Sequence, residues 1–198
     1  MSAPKTLLEM AGANLTPPKI SDTCLVLIDM QNEYREGPLA VAGVDEAVEK
    51  ASGVLHAARH NGTPIIHIAH KGKPGSLFDR DHARGQIIDQ VAPLANEPVI
   101  EKGLPNAFAG TDLFEKVKQT GKSTVLLVGF MTHMCVSSTA RAALDLGLNV
   151  VIDAESCGTR DLPDGKGGVL SGPTVHEVAL TELSDRFAIV AREHDWSA

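Results

Sequence analysis

Thr124 to Asp153 reads TVLLVGFMTHMCVSSTARAALDLGLNVVID, and this stretch decides the fold. Thr124 to Gly129 is strongly apolar and β-branched at its start, the profile of a strand covered on both faces. Residues 134 to 146 carry a helical pattern that stops at Gly147, since glycine readily takes the left-handed conformation that ends helices. Asn149 to Asp153 is apolar again. Strand, helix and strand in such close succession describe a crossover between two parallel strands.

The same alternation extends outward. Cys24-Leu25-Val26-Leu27-Ile28 is a continuous apolar run and reads as strand one. Val44, Ala47, Val48, Ala51, Val54, Leu55 and Ala58 fall at helical spacing within residues 44 to 60, and Asn61-Gly62 stops that helix. Thr63 to Ala69 reads as strand two. A long polar loop, 70 to 86, follows, then a short helix near 87 to 92 and a short third strand from Pro98 to Glu101. Thr111 can cap a helix that stops at Gly121. Beyond the opening stretch, residues 154 to 172 read as a loop rich in Gly, Asp and Pro. A helix from Thr174 to Asp185 and a sixth strand from Phe187 to Ala191 complete the pattern. Residues 1 to 22, with Pro17-Pro18, read as an arm. No second domain, repeat or linker stands out, so residues 1–198 are expected to form one domain. Strands alternating with helices predict a doubly wound α/β fold, a six-stranded parallel sheet with helices on both faces in a Rossmann-like three-layer sandwich.

A net charge of −7 argues against nucleic acid, which requires a basic face. Three cysteines with no CxxC spacing are neither a disulfide framework nor a structural zinc site. The first residues lack the long apolar core of a signal peptide, and the longest apolar run is too short to span a bilayer. A cytoplasmic location with no membrane partner is therefore expected, and free thiols persist there.

In folds of this class ligands bind at the carboxyl ends of the strands. Three chemically active residues stand there: Asp29 after strand one, Lys102 after strand three and Cys135 after strand four. A helix N-terminus would favour the thiolate of Cys135, and its N–H groups can hold an oxyanion. Taken singly, each has an ordinary alternative: a core cysteine, a carboxylate acting as cap or ion-pair partner, a solvated lysine. All three at one sheet edge outweigh those alternatives.

The motifs around them resemble the isochorismatase-like cysteine hydrolases, which include nicotinamidases, N-carbamoyl amidohydrolases, and ureidoacrylate and biuret hydrolases. The matching segments, in order, are Leu27 to Tyr34 (LIDMQNEY), Lys102 to Phe108 (KGLPNAF) with Gly110 to Leu113, Gly129 to Val136 (GFMTHMCV) with Thr139 to Arg141, and Asp153 to Asp161. The resemblance covers residues 23 to 191 and implies the strand order 3-2-1-4-5-6. It implies an Asp29–Lys102–Cys135 triad, a cis peptide between Phe130 and Met131, and an oxyanion hole from the N–H groups of Met131 and Cys135. It also implies a homodimer or homotetramer, with the arm and helices supplying contacts. The reaction implied is hydrolysis of a small amide, ureido or carbamoyl compound through a thioester. Isochorismatases proper cleave a vinyl ether without the cysteine, so Cys135 points away from that chemistry.

Nicotinamidases hold a metal through an Asp-x-His pattern after strand two. Here that region reads His67-Ile68-Ala69-His70, and residues three apart in a strand face opposite ways. No metal or other cofactor is expected, His67 is read as a core histidine, and His70 as a residue bordering the pocket. Gln31, Tyr34, Phe78, Asn106, Phe108, Thr132 and His133 are the other candidates for the substrate pocket, with helix capping an equal alternative for Asn106. Cys24 is read as core and Cys157 as a loop residue near the site. Asp164-Gly165-Lys166-Gly167-Gly168 lacks phosphate-loop spacing and is read as a flexible loop. A non-catalytic or redox-sensing domain with a reactive thiol is the competing reading, but such a sensor needs neither Asp29 nor Lys102.

Overall fold

The structure is a computed structural model that describes residues 3–197. Its elements, in chain order, are α1 (Leu7–Met10), β1 (Cys24–Ile28), α2 (Glu33–Glu36), α3 (Val44–His60), β2 (Ile65–His70), β3 (Val99–Lys102), α4 (Leu113–Gln119), β4 (Thr124–Phe130), α5 (Ser137–Asp145), β5 (Asn149–Gly158), β6 (Leu162–Pro163), β7 (Val169–Leu170), α6 (Gly172–Arg186) and β8 (Ile189–Ala191). Six strands form one sheet in the order β3-β2-β1-β4-β5-β8, all neighbours parallel. With β8 as the sixth strand of that sheet, this is the expected order.

The continuous apolar strands are explained by two cores, one on each face. Leu25, Leu27, Leu126, Val128 and Val151 pack with the buried side of α3. Their alternate neighbours, Cys24, Val26, Ile28, Val125, Leu127, Val150 and Ile152, pack against α4, α5 and α6. Side chains alternate across a strand, so a strand sandwiched between helices is apolar at every position. Each fully buried Val, Leu or Ile contributes about 1.5–3 kcal/mol relative to exposure.

Gly129 joins the sheet to the site. Its φ is +121°, and a Cβ there would lie 2.1 Å from the carbonyl oxygen of Ile28. Only glycine lets β4 approach β1 so closely while turning towards the segment that carries Cys135.

Several sequence expectations are corrected. β5 runs five residues past Asp153, to Gly158, with a register shift against β4 between Leu127 and Gly129. Cys157 is therefore a buried strand residue paired with Gly129, not a loop residue. The rest of the expected loop holds the antiparallel β6–β7 pair. In the turn between them, Asp164 Oδ1 accepts the amides of Lys166 and Gly168 at 2.7 and 2.8 Å. Helix α6 starts earlier than expected because Ser171 caps it and Pro173 lies in its first turn. Thr111 does not occupy the N-cap of α4. Asp112 does, while the Thr111 hydroxyl donates to Ala107 O at 2.6 Å. The short helix near 87 to 92 is a single 3-10 turn, Asp89–Val91, and the sixth strand begins at Ile189 rather than Phe187. The arm is not wholly irregular. Thr6 and Glu9 form a capping box for α1, and the Leu7 amide donates to Asp185 on α6 at 2.8 Å.

Candidate active site

Asp29 follows the last residue of β1 with φ +50°, a left-handed conformation in which Asp is one of the few tolerated residues. Its amide donates to Ile68 O at 3.0 Å and its carbonyl accepts from Gln31 N at 2.8 Å. The chain therefore turns sharply just where the carboxylate leaves the sheet. Lys102 ends β3, beside His70 in the parallel register. Cys135 was expected at the start of a helix; it instead lies in a π-helical turn, Thr132–Val136, that leads into α5. The peptide between Phe130 and Met131, just before this turn, is cis.

The three side chains meet under the surface. Lys102 Nζ lies 2.7 Å from Asp29 Oδ2 and 3.3 Å from Cys135 Sγ. Relative exposures are 0% for Asp29, 2% for Lys102 and 4% for Cys135. Lys102 Nζ also meets Leu104 O at 3.0 Å and His70 Nδ1 at 3.3 Å, so its three protons have three hydrogen-bond acceptors beside the ion pair with Asp29. The ammonium is close to Asp29 but poorly aimed for a hydrogen bond, and both carboxylate oxygens lack a donor of good geometry. A buried carboxylate so weakly solvated is ready to take a proton.

The electrostatics agree. Burial pushes Asp29 above the usual carboxylate range, opposed by Lys102 and the Cys135 thiol. Burial, followed by the Asp29 charge, pushes the Cys135 thiol up to about 12, with Lys102 opposing. The π-helical turn replaces the expected helix N-terminus at Cys135, so the cation beside the thiol is Lys102. Desolvation is the largest of these influences on the thiol, and it favours the protonated form.

The remaining candidates divide. Tyr34 and Phe78 are buried and face each other with ring centroids 5.2 Å apart, Tyr34 also meeting Phe130 at 5.6 Å. Phe78 meets the His70 ring in a tilted contact with centroids 4.9 Å apart. Gln31 is a clamp on the backbone: its amide donates to His70 O at 3.0 Å and Gly85 O at 2.7 Å, and its oxygen accepts from His70 N at 2.8 Å. It ties the loop after β2 to the triad. Asn106 Oδ1 accepts the Phe108 amide at 2.9 Å, so it shapes a turn rather than capping a helix. Phe108 packs edge-on against Phe114, centroids 6.5 Å apart. Thr132 is fully buried, its hydroxyl 2.8 Å from His176 Nδ1, and half-buried His133 has Nδ1 2.5 Å from Thr159 Oγ1.

Two groups near the site escaped the sequence reading. His176 on α6 braces the turn through Thr132, and no local motif announces a contact 44 residues away. Arg160 has a buried Nε without a partner, and its charge is felt by Tyr34 and His133. Its place in a loop after a strand end was the available signal.

The histidines of β2, His67 and His70, do not fit a metal. His67 Nε2 lies 3.0 Å from Glu97, itself bound to Arg59 at 2.8 Å, and His70 Nδ1 faces an ammonium. Among the described residues no group of three or more His, Cys, Asp or Glu is placed to hold an ion. None of the described helices is long and apolar enough to cross a membrane.

Residues 23–195 match the isochorismatase domain model. The chain belongs to the isochorismatase family. A crystal structure of an isochorismatase from Pseudomonas putida KT2440 superposes with a TM-score of 0.92 at 40% identity, covering 96% of this chain and 97% of that one. The secreted isochorismatase effector Isc1 of Verticillium dahliae is 34% identical over 94% of this chain and 96% of its own length. Maleamate amidohydrolase of Pseudomonas putida is 29% identical over 86% of this chain and 83% of its own. The isochorismatase family is thus one of hydrolases, with amidohydrolases among the relatives.

Proposed function

We propose that this isochorismatase-family protein is a cysteine amidohydrolase that cleaves a C–N bond of a small amide, ureido or carbamoyl compound. The observation that carries the reading is the buried cluster in which Lys102 Nζ stands 2.7 Å from Asp29 and 3.3 Å from Cys135. Asp29 takes the thiol proton as Sγ attacks the carbonyl carbon. The proton moves within the pair, so no net charge is added to a dry site. Lys102 stabilises the sulfur anion and fixes the geometry. The N–H groups of Met131 and Cys135 receive the oxyanion. The C–N bond breaks as protonated Asp29 returns its proton to the leaving nitrogen, giving a thioester. Water, deprotonated by Asp29, attacks the thioester, and the sulfur leaves with that proton to restore the thiol and release the acid.

Ammonia release across a panel of small carboxamides, ureido acids and maleamate tests this. Turnover lost in Cys135→Ala supports the reading. Turnover surviving that change, or hydrolysis of isochorismate alone, refutes it. A cytoplasmic homodimer or homotetramer completes the proposal. Free Cys24, Cys135 and Cys157 support a reducing compartment. The exposed apolar Val169, Leu170 and Val178 on the β6–β7 hairpin and α6 support association, which sedimentation checks.

A further inference from the structure

His70 ends β2 level with Lys102 on β3, and adjacent parallel strands send residues at one level to the same face. An ammonium only donates hydrogen bonds. The 3.3 Å contact between Lys102 Nζ and His70 Nδ1 therefore needs a lone pair on Nδ1, and in a neutral imidazole the proton then sits on Nε2. Burial and the neighbouring Lys102 charge both push His70 down, to about 4, so the ring is neutral at neutral pH. Phe78 against one side, with centroids 4.9 Å apart, fixes the ring plane. Gln31 fixes the backbone through the His70 amide and carbonyl. His70 is thus held at both backbone groups and at Nδ1. Its Nε2–H has no partner among the described residues, and the ring is only half-buried. A donor whose tautomer and orientation are imposed, left open one residue from the nucleophile's lysine, is placed to be used by a ligand.

We propose that His70 is a specificity-determining residue whose Nε2–H donates to an oxygen of the substrate beyond the carbonyl under attack. It would favour amide-type compounds that carry a second oxygen acceptor over plain alkyl amides. A site built around a donor discriminates against analogues without the acceptor, because the donor is then left unpaired. The inference rests on Cys135 being the nucleophile of the proposed reaction, but its test needs no turnover.

The test compares alkylation of Cys135 by iodoacetamide and by methyl iodide, with the labelled residue identified by mass spectrometry. Iodoacetamide carries its oxygen one carbon beyond the attacked atom, and methyl iodide carries none. His70→Asn puts an acceptor near the Nδ1 position and removes the Nε2 donor. His70→Gln puts an amide donor near the Nε2 position and removes the acceptor for Lys102. The iodoacetamide-to-methyl-iodide rate ratio is expected to fall about three- to tenfold in His70→Asn, the range of one neutral hydrogen bond, and to stay near wild type in His70→Gln. An unchanged ratio in His70→Asn overturns the proposal. So does an equal loss with both reagents in His70→Gln alone, which would mean that His70 acts only through Lys102. Nitrogen-15 spectra of the wild type should show the Nε2–H tautomer at pH 7, and an Nδ1–H tautomer or an imidazolium overturns it. If the amide panel releases no ammonia while these ratios behave as stated, the proposed reaction fails and the donor assignment survives.

Discussion

Replacing Asp29 by Asn separates a base from a mere neighbouring charge. The thiol of Cys135 is pushed up to about 12, first by burial and second by the Asp29 charge. A thiol pushed up in this way is ionised unaided only rarely at pH 7. Proton transfer to Asp29 bypasses that scarcity, because the carboxylate is itself pushed towards protonation. Asparagine tolerates the φ of +50° at this position, and Lys102 keeps the Leu104 carbonyl and His70 as acceptors, so the fold is expected to survive. Losing the charge lowers the thiol's pKa only in part, since burial, the larger cause, remains. Turnover is expected to fall at least about a hundredfold, within the range of general acid–base catalysis. Alkylation of Cys135 at pH 7 should fall as well, and should then climb steadily with pH because hydroxide must now remove the proton. The assay is paired ammonia release and alkylation from pH 6 to 10, on protein whose melting transition is intact. Near-normal turnover refutes the base role. Faster alkylation at pH 7 in Asp29→Asn also refutes it, reducing the carboxylate to an electrostatic brake on the thiolate.

Lys102→Met removes the cation 3.3 Å from the thiol and should lower turnover severely while also slowing alkylation of Cys135, as followed by the same two assays. Exhaustive chelation should leave the rate unchanged, since His67 and His70 are committed to Glu97 and Lys102; loss of activity restored by one added metal would contradict this. Gly129→Ala forces a Cβ to within 2.1 Å of Ile28 O and should destabilise by more than the ~1 kcal/mol that alanine gains at a compatible position, seen as a lowered melting temperature. Glu97 is held down to about 2, chiefly by Arg59. Its folded value lies below its unfolded one, so its contribution is complete above about pH 4.3 and fades as pH falls towards 2. The acid limb of the stability curve should flatten in Glu97→Gln, as measured by urea melts between pH 2 and 6.

The alternation of apolar runs and helical spacing carried most of the architecture, because a buried parallel strand has a distinctive pattern at every position, as in Cys24 to Ile28. The meeting of Asp29, Lys102 and Cys135 was legible for a related reason: residues at or soon after the carboxyl end of such a strand are brought to one sheet edge. What stayed hidden depended on distant contacts. Cys157 pairs with Gly129 only after β5 shifts register, and nothing in Ala154 to Gly158 signals continued strand. Gln31 looked like a substrate ligand, yet its partners, His70 and Gly85, lie 39 and 54 residues away. The state of Cys135 was misjudged because helix ends and neighbouring cations can be read from sequence, whereas depth of burial cannot. The Thr6–Glu9 capping box, by contrast, follows a local sequence pattern.

The pairing of Cys24 with Val125 bears on how the chain assembles its candidate site. These residues are 101 positions apart, and their strands must lie side by side before Asp29 and Cys135 can face each other. Non-local pairings of this kind tend to make folding slow, because a long stretch of chain must be closed before the contact rewards it. Local helices such as α3 can form well ahead of that event. Recovery of Cys135 alkylation kinetics during refolding should therefore lag the recovery of helical signal, so that this thiol serves as an internal clock for completion of the central sheet.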